Sequence, residues 1–526
     1  MRTKLNAYRI CCFYFVIGLI VVGIASGIFG AYAHARTIGA KPSGRLISGS
    51  SSPHGAVALA WVNRVDGLAH GGDHAHDVKT DAQGNVLVTG WIENSLGNPD
   101  AHTVKYAPDG TVLWENTYAG SATGVDYGYA LAVDETGNTY VAGFGNGNNP
   151  ATFDIFVLKF DPDGNTLWTQ RWTSPITNYS AYAYAIAVDK QGNVFTTGFH
   201  SDGFTDGEFI TLKFDASGSL QWANSYNGST SSIDYANCIA LDNEGNVCIT
   251  GWSGGANNLW DYTTIKYSST GDQLWVKTYN GSANDNDFAY RLALDSSGNV
   301  YVTGQSVETG SDNDITTIKY SPDGDVLWIR HYDGPANGYD AGQGIAVDAK
   351  GNAYVTGNQT TATGLECVTL KYSAAGDLLW VAPFNSPDND GVLISIVLDD
   401  SASAYVTGFV FRGGASDFVT IKYDAQGIEQ WSQFYNGPGN SYDGTYALTL
   451  DNNRNVLVAG YSTGNGTDYD YTTIKYSQTG AATPTPTPTV TPTPAPSVTP
   501  TPTPGATSTP RPAPSPRPRP TPRPRP

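Results

Sequence analysis

The feature that most constrains the fold of this 526-residue sequence is a unit of 51 to 54 residues that occurs eight times in succession. One copy reads TIKYSPDGDVLW from residue 317 and, after a polar loop, AVDAKGNAYVTG from residue 346. Each unit holds four short β-rich runs separated by turns rich in Gly, Asn and Asp, which is the pattern of a propeller blade. The repeat therefore predicts an all-β, eight-bladed β-propeller of four-stranded blades over residues 57–480.

The order of the runs predicts how each blade is built and how the ring closes. We expect Ala-Val-Asp to be the innermost strand, followed by Tyr-Val-Thr-Gly, Thr-Ile-Lys-Tyr and an outermost Leu-Trp strand. This order puts tight turns on one face and the longer loops on the other. The last unit ends at Tyr476 without an outer Trp strand, while Trp61 has no blade before it. Trp61 is thus expected to complete blade eight and to close the ring, which removes exposed strand edges.

Composition supports a β-rich fold and excludes some partners. The sequence has 60 Gly, 32 Tyr and 12 Trp, and only 15% of its residues are charged. All 48 acids lie within residues 57–480, together with 18 Lys and Arg, which gives this region a net charge of −30. Such acidity repels phosphates, so binding of nucleic acid or of anionic lipid through this region is not expected.

The repeat sequences resemble those of the SBBP-type β-propeller family, which is loosely similar to NHL repeats. The resemblance covers residues 57–477. It implies a propeller fold and a secreted or cell-surface setting, and it implies no shared reaction. The family name suggests seven blades, whereas this sequence has eight units.

The amino-terminal residues predict export. Three basic residues precede an apolar run from Ile10 to Gly30, and small-residue cleavage sites follow, so residues 1–35 form a predicted signal peptide. The run is also long enough to span a bilayer, and an uncleaved membrane anchor is the alternative. Residues 36–56 are a predicted linker. We expect the protein to be secreted or to be displayed on the cell surface.

The carboxyl-terminal residues 481–526 are rich in Thr, Pro and Arg. Proline at nearly every second position fixes φ and removes backbone donors, so the segment is predicted to be a disordered, extended stalk. Its five arginines are a candidate contact with an anionic cell wall or membrane surface, and a solvated spacer is the alternative.

Residues that recur in every unit are interpreted as scaffold. A lysine precedes the aromatic residue of the third run in all eight units, and an acid lies five residues before each lysine. A catalytic group is needed once, so eightfold groups point to pairing between blades or to turn capping. Cys238, Cys248 and Cys367 are too few to hold the fold through disulfides, although the first two could lie on adjacent strands.

An aromatic residue follows the second run in six of the eight units and is a candidate ligand-binding position. Flanked by Asn, Asp and Gly, such residues suit stacking on sugars or docking of a peptide. Packing between blades is the alternative explanation. The six residues are Trp91, Phe144, Phe199, Trp252, Phe409 and Tyr461.

A cluster of histidines in the first unit suggests a zinc or copper site. His74 and His76 are two residues apart on the predicted inner strand, a spacing that puts both on the same side. His70, His102 and Asp73 are the candidates to complete the site, with Asp100 as a substitute for Asp73. The alternative is that these histidines replace tyrosine as packing residues. The run of residues 284–287, Asn-Asp-Asn-Asp, is a separate calcium candidate, although it lacks a full calcium-loop pattern.

These features favour a binding or adhesion scaffold for glycan or protein ligands, expected to be monomeric, over an enzyme. A quinoprotein-like or other periplasmic propeller enzyme is the alternative, because Gly324 to Trp328 resembles the tryptophan-docking repeats of eight-bladed quinone enzymes. The vicinal cysteine pair of those enzymes occurs here only at Cys11 and Cys12, inside the predicted signal.

Overall fold

The computed structural model of this chain describes residues 57–478, except 121–123, 148, 204–205, 230–231, 256–258 and 387. The predicted signal, linker and stalk therefore lie outside the described residues. All named elements of the described part are β-strands. None of its segments forms a helix of the length and apolarity needed to cross a bilayer.

The strands follow the eight sequence units. Blades one to four are formed by β2 (His74–Thr80), β3 (Val86–Glu93), β4 (Pro99–Tyr106), β5 (Val112–Tyr118); β6 (Asp126–Val133), β7 (Thr139–Asn146), β8 (Phe153–Phe160), β9 (Thr166–Trp172); β10 (Ser180–Val188), β11 (Val194–Ser201), β12 (Gly207–Phe214), β13 (Leu220–Tyr226); and β14 (Tyr235–Leu241), β15 (Val247–Gly254), β16 (Trp260–Tyr267), β17 (Gln273–Tyr279). Blades five to eight are formed by β18 (Phe288–Leu294), β19 (Val300–Val307), β20 (Asn313–Tyr320), β21 (Val326–Tyr332); β22 (Ala341–Val347), β23 (Ala353–Thr360), β24 (Leu365–Tyr372), β25 (Leu378–Phe384); β26 (Gly391–Leu398), β27 (Ala404–Arg412), β28 (Ala415–Tyr423), β29 (Glu429–Tyr435); and β30 (Asp443–Leu450), β31 (Val456–Thr463), β32 (Tyr469–Gln478), β1 (Val57–Val65).

Each blade is a four-stranded antiparallel meander in the predicted order. The first strand of every blade contacts the first strand of the next blade, from β2 through β30 and back to β2, so the eight sheets form a closed ring. In blade eight, β1 pairs with β32 and supplies the outermost strand. The eight-bladed propeller and its closure by the amino-terminal strand are thus confirmed.

Every inner strand carries a bulge at the same point. In blade one the pairing of β2 with β3 shifts between Ala75 and Asp77, and equivalent shifts occur in the other seven blades. A bulge leaves one residue unpaired and re-aims its side chain. The bulged residues are His76, Tyr129, Tyr184, Asn237, Tyr290, Gln343, Ile394 and Tyr446.

The repeated lysine and tryptophan join neighbouring blades through a single acceptor. In blade four, Lys266 Nζ and Trp275 Nε1 both donate to the Pro322 carbonyl in a turn of blade five, at 3.2 and 3.0 Å. Lys266 also lies 2.9 Å from Asp242, the first residue of the Asp-x-x-Gly-Asn turn. Lysine thus links blades as predicted, but its carboxylate partner is the turn aspartate and not the acid five residues before it.

The seventh interface uses a side chain in place of the usual carbonyl, because the outermost strand of blade eight is β1 and no β32-to-β1 turn exists to supply that carbonyl. Lys422 Nζ and Trp431 Nε1 donate to Gln478 Oε1, at 2.9 and 3.4 Å. At the eighth interface Lys475 and Trp61 both donate to the Pro108 carbonyl, at 3.0 and 3.2 Å. The inter-blade contact is therefore kept even where the chain closes the ring.

The tight turns hold their left-handed residue even where glycine is missing. Gly351 has φ +77° in its Asp-x-x-Gly-Asn turn, and Ala402 and Arg454 occupy the equivalent positions with φ 59° and 62°. Asp348 Oδ1 accepts from the backbone N–H of Lys350 and Asn352, and equivalent bonds form at the other turn aspartates. The side-chain cap thus fixes a conformation that residues other than glycine seldom adopt.

The three cysteines of the described part are free. Cys238 lies on β14 and Cys248 on the adjacent β15, as expected. The two are not opposite each other in the register of these strands, since Cys248 is paired with Ala240 and Cys238 with Thr250. The fold is held by inter-blade packing, in which Tyr and aliphatic side chains of neighbouring blades form shared clusters.

Candidate functional site

A buried aspartate at the start of the inner strand anchors the long-loop face in six of the eight blades. In blade five, Asp287 accepts hydrogen bonds from the backbone N–H of Gly281 and Val307, at 2.6 and 3.0 Å. The carboxylate thereby ties the loop that enters the blade to the end of β19. The equivalent residues are Asp73, Asp126, Asp234, Asp340 and Asp443, which are all fully buried.

Burial raises the pKa of these aspartates, because a charged carboxylate is poorly solvated in the interior. The pKa is raised to about 7 for Asp287, Asp340 and Asp443, while hydrogen bonds from backbone N–H groups oppose the effect. The same cause raises it to about 7 for Asp73 and to about 6 for Asp126 and Asp234. The folded chain therefore takes up protons between pH 4 and 7 that the unfolded chain does not hold.

We expect the six buried aspartates to stabilise the propeller more at pH 5 than at pH 8. Since the pKa of these groups is higher in the folded state, their stabilisation is fully present below the unfolded pKa and is lost as pH rises through the folded pKa. Melting curves between pH 5 and 8 test this. Relative to the parent protein, Asp287→Asn should gain stability as pH rises from 5 to 8, whereas Asn at the exposed turn residue Asp323 should not. Parallel pH dependences of the melting temperature in Asp287→Asn and in the parent protein would contradict the prediction.

The six candidate aromatic residues lie between blades near the long-loop face. Five of them are buried, and Phe409 is half-buried. Most contact an aromatic residue of their own inner strand and one of the next blade: Trp91 with His74 and Tyr127, Phe144 with Tyr127 and Tyr182, Phe199 with Tyr182 and Tyr235, and Trp252 with Tyr235 and Phe288, at centroid distances of 4.3 to 5.2 Å. These contacts form one aromatic belt. A direct role of these residues in ligand binding stays a prediction.

The belt continues through the first unit, where histidines take the place of tyrosines. His74 lies 4.8 Å from Trp91 and 4.7 Å from Tyr461, and its Nδ1 is 3.1 Å from the Tyr446 hydroxyl. His76 is stacked on Tyr446 at 4.2 Å and lies 4.4 Å from Tyr129. Burial lowers the pKa of His74 to about 3, and it lowers that of His76 well below its usual range. Both imidazoles are therefore neutral at neutral pH.

The other candidate metal ligands have partners of their own. Asp66 lies 2.6 Å from His70, whose ring is exposed, and His102 Nδ1 is 3.0 Å from the Thr117 hydroxyl. Asp73 accepts from the backbone N–H of Gly67 and Glu93. Asp287, which belongs to the calcium candidate, accepts hydrogen bonds from the backbone N–H groups of Gly281 and Val307.

Among the His, Cys, Asp and Glu side chains that the structure describes, a group of three possible ligand atoms within 4.8 Å of one another occurs only at Asp314, Asp333 and Asp340. The predicted histidine and calcium sets do not form such a group. Binding of zinc, copper or calcium by them stays a prediction.

A central cavity of about 420 Å³ is lined by residues from all eight blades. The bulged residues and those that follow them form much of its wall, joined by Trp252 and Phe409 of the candidate aromatics. The volume lies in the range of small-molecule sites, and the wall combines aromatic rings with a few polar groups, as such sites do. The cavity is thus the candidate functional site of the ring.

Sequence reasoning missed the residues that make this wall chemically distinct. Arg291 stands where the other seven blades have Asp77, Ala130, Ala185, Cys238, Gly344, Ser395 and Ala447. This single arginine in a row of mostly small residues was a signal in the aligned units. The repeat pattern does not predict which position of the inner strand faces the channel, so the arginine alone does not point to a site.

The comparisons with known proteins agree with the architecture. The β-propeller repeat SBBP matches residues 277–308. An uncharacterized WD repeat-containing protein of Acanthamoeba polyphaga mimivirus is 22% identical over 477 residues, with 77% of this chain and 31% of that protein covered. The chain thus spans about a third of the length of this curated relative.

Solved structures show a likeness in fold alone. Sqt1 from Chaetomium thermophilum has a TM-score of 0.51 and 9% sequence identity, and the match covers 81% of this chain and 100% of Sqt1. A eukaryotic initiation factor has a TM-score of 0.40 and 9% identity, covering 74% of this chain and 82% of that one. The ring of eight four-stranded blades and the match to an SBBP repeat at residues 277–308 show that the chain is an eight-bladed β-propeller that carries a repeat of this type.

Proposed function

We propose that the protein is an exported binding scaffold, secreted or displayed at the cell surface, that binds glycan or protein ligands on its long-loop face. One observation carries the proposal. The residues that repeat in all blades are engaged in contacts between blades, as Lys266 and Trp275 are. The residues that differ from blade to blade lie in the loops and along the channel. This distribution is expected of a scaffold whose repeated residues maintain the fold and whose variable residues bind a ligand.

Exposed apolar side chains mark one part of that face. Leu68 is 77% exposed, Leu96 68% and Tyr442 46%, and they lie in loops of the adjacent blades one and eight. The two blades meet here through backbone hydrogen bonds, in which Asp73 donates to Tyr469 and Asp468 donates to His70. Apolar residues on an otherwise polar face are typical of interaction sites.

The experiment compares two triple variants of the full chain on glycan arrays and in pull-downs from cell-surface material. We expect Leu68→Ser/Leu96→Ser/Tyr442→Ser to lose most of the binding. The matched control Leu167→Ser/Leu274→Ser/Leu327→Ser removes side chains that are about half exposed on the outermost strands, and it should bind like the parent protein. Equal binding by all three proteins would contradict the loop-face proposal.

Export is tested separately by fractionating the producing cells and by sequencing the amino terminus of the mature chain. We expect the protein outside the cytoplasm, either cleaved near residue 35 or still anchored. The same preparations show whether the Pro-rich segment holds the protein to cell-wall material, because truncation after residue 480 should then release it. Retention of the full chain in the cytoplasm would contradict the proposal.

A further inference from the structure

Arg291 is an arginine of the channel wall that has no carboxylate partner among the residues that the structure describes. Its Nη1 donates to the carbonyl of the preceding residue, Tyr290, at 3.0 Å, and the residue is exposed to solvent in the cavity. Within the described part of the chain, no carboxylate oxygen lies within 4.0 Å of its guanidinium. Arg64, Arg171, Arg412 and Arg454, in contrast, each pair with an aspartate.

The net charge of the cavity wall is opposite in sign to the net charge of the propeller as a whole. Asp77, Lys79 and Arg291 are the charged residues that line it. Asp77 is compensated locally, because Lys79 Nζ lies 2.6 Å away and the Leu131 N–H donates to it at 2.9 Å. The wall therefore carries a net charge of +1 inside a region whose net charge is −30. In a cavity with low-dielectric walls such a local charge acts on a bound ligand more strongly than it would in water.

Two further polar atoms of the wall are buried without a hydrogen-bond partner in the described part of the chain. They are His76 Nε2 and the Tyr184 hydroxyl oxygen. A buried polar atom without a partner is costly, and most such atoms in folded proteins have one. Both residues line the cavity, and a neutral imidazole such as that of His76 can act as donor or as acceptor.

Flat rings also line the cavity. Tyr129, Tyr184, Tyr290 and Tyr446 are bulged residues that line the cavity, with His76 stacked on Tyr446 at 4.2 Å. Rings of this kind bind flat or apolar faces of small molecules. The wall thus combines one free cation, unsatisfied polar atoms and aromatic surface.

We propose that the central channel binds a small organic carboxylate, with the carboxylate at the Arg291 guanidinium and a flat or apolar face of the ligand against the tyrosines of the bulges. Guanidinium matches a carboxylate through two parallel N–H···O bonds, which explains an arginine where the other blades have mostly small residues. The site is separate from the loop-face ligand proposed above and depends on neither that ligand nor export.

Calorimetry on the full chain tests the site with two carboxylates and their neutral counterparts, benzoate with benzamide and glucuronate with glucose. We expect at least one acid to bind at least tenfold more tightly than its neutral counterpart. Arg291→Gln should weaken that binding by roughly 10- to 100-fold, as expected for loss of a charged hydrogen-bond partner. Arg454→Gln, which removes the same charge from a tight turn away from the channel, should leave it unchanged.

A second variant keeps Arg291 and reverses the charge balance of the wall. Ser395→Glu introduces a carboxylate at the equivalent position of blade seven, and it should abolish binding of the acid in the same way. Melting curves establish that each variant is folded. Equal affinity for the acids and their neutral counterparts, unchanged binding by Arg291→Gln, or no binding of either acid to the parent protein would each overturn the proposal.

Discussion

Deleting residues 57–65 is expected to destabilise the propeller strongly and to promote its aggregation. These residues form β1, which pairs with β32 over most of its length and supplies the outermost strand of blade eight. Its loss exposes the edge of β32 and removes Arg64 from the buried carboxylate of Asp470. An uncompensated buried charge alone costs about 3–5 kcal/mol, so with the lost packing of Trp61 we expect a loss of at least about 5 kcal/mol.

Calorimetry and size-exclusion chromatography measure the effect. For a domain of this size a loss of about 5 kcal/mol lowers the melting temperature by roughly 6 °C, and the exposed edge should promote aggregation. Truncation after residue 480 is the control, because it leaves all 32 strands in place. A chain that starts at Gly67 and melts like the full chain would refute closure by a shared blade.

Lys266→Met is expected to be the most damaging of the charge-removing substitutions. Lys266 is 3% exposed, lies 2.9 Å from Asp242 and donates to the Pro322 carbonyl of the next blade. Methionine keeps much of the volume but leaves the Asp242 carboxylate without its cation. We expect a loss of about 3–5 kcal/mol in the free energy of unfolding, measured by chemical denaturation.

Two matched variants show whether the ion pair is the cause. Lys350→Met removes the same charge from an exposed turn position and should change stability by less than about 0.5 kcal/mol. The double variant Lys266→Met/Asp242→Asn should be less damaged than Lys266→Met, because it leaves no buried charge without a partner. If Lys266→Met unfolds at the same denaturant concentration as Lys350→Met, the lysines are not structural.

The histidines of the first unit show which features of the candidate site could be predicted from the sequence. His74 and His76 were expected on one side of the inner strand, and they do lie near each other, with ring centroids 6.3 Å apart. His102 instead contacts Thr117, and His70 contacts Asp66. Spacing along a strand predicts the side on which a residue lies, but it does not predict which neighbouring residue satisfies each ring nitrogen.

The period of the sequence by itself determined the fold of this protein. Four β-rich runs in each of eight units, with a missing outer strand at one end and a spare Trp61 at the other, leave closure of the ring by β1 as the solution without exposed edges. Even the scaffold role of Lys266 and its equivalents followed from their repetition. Turn residues and the alternation of residues along each strand specify these features, and both can be recognised from the sequence alone.

Only the tertiary structure decided which side chains face the channel and what they meet there. The bulge between Ala75 and Asp77 re-aims His76, and the same bulge in blade five brings Arg291 to the cavity wall. Gln478 likewise replaces a backbone carbonyl for Lys422 because of where the ring closes. A bulge adds one unpaired residue to the strand and thereby changes the direction in which the side chains at that point project. The residues that these side chains contact belong to other blades, about 50 or more residues away along the chain. The alternation of residues along a single strand therefore does not predict these contacts.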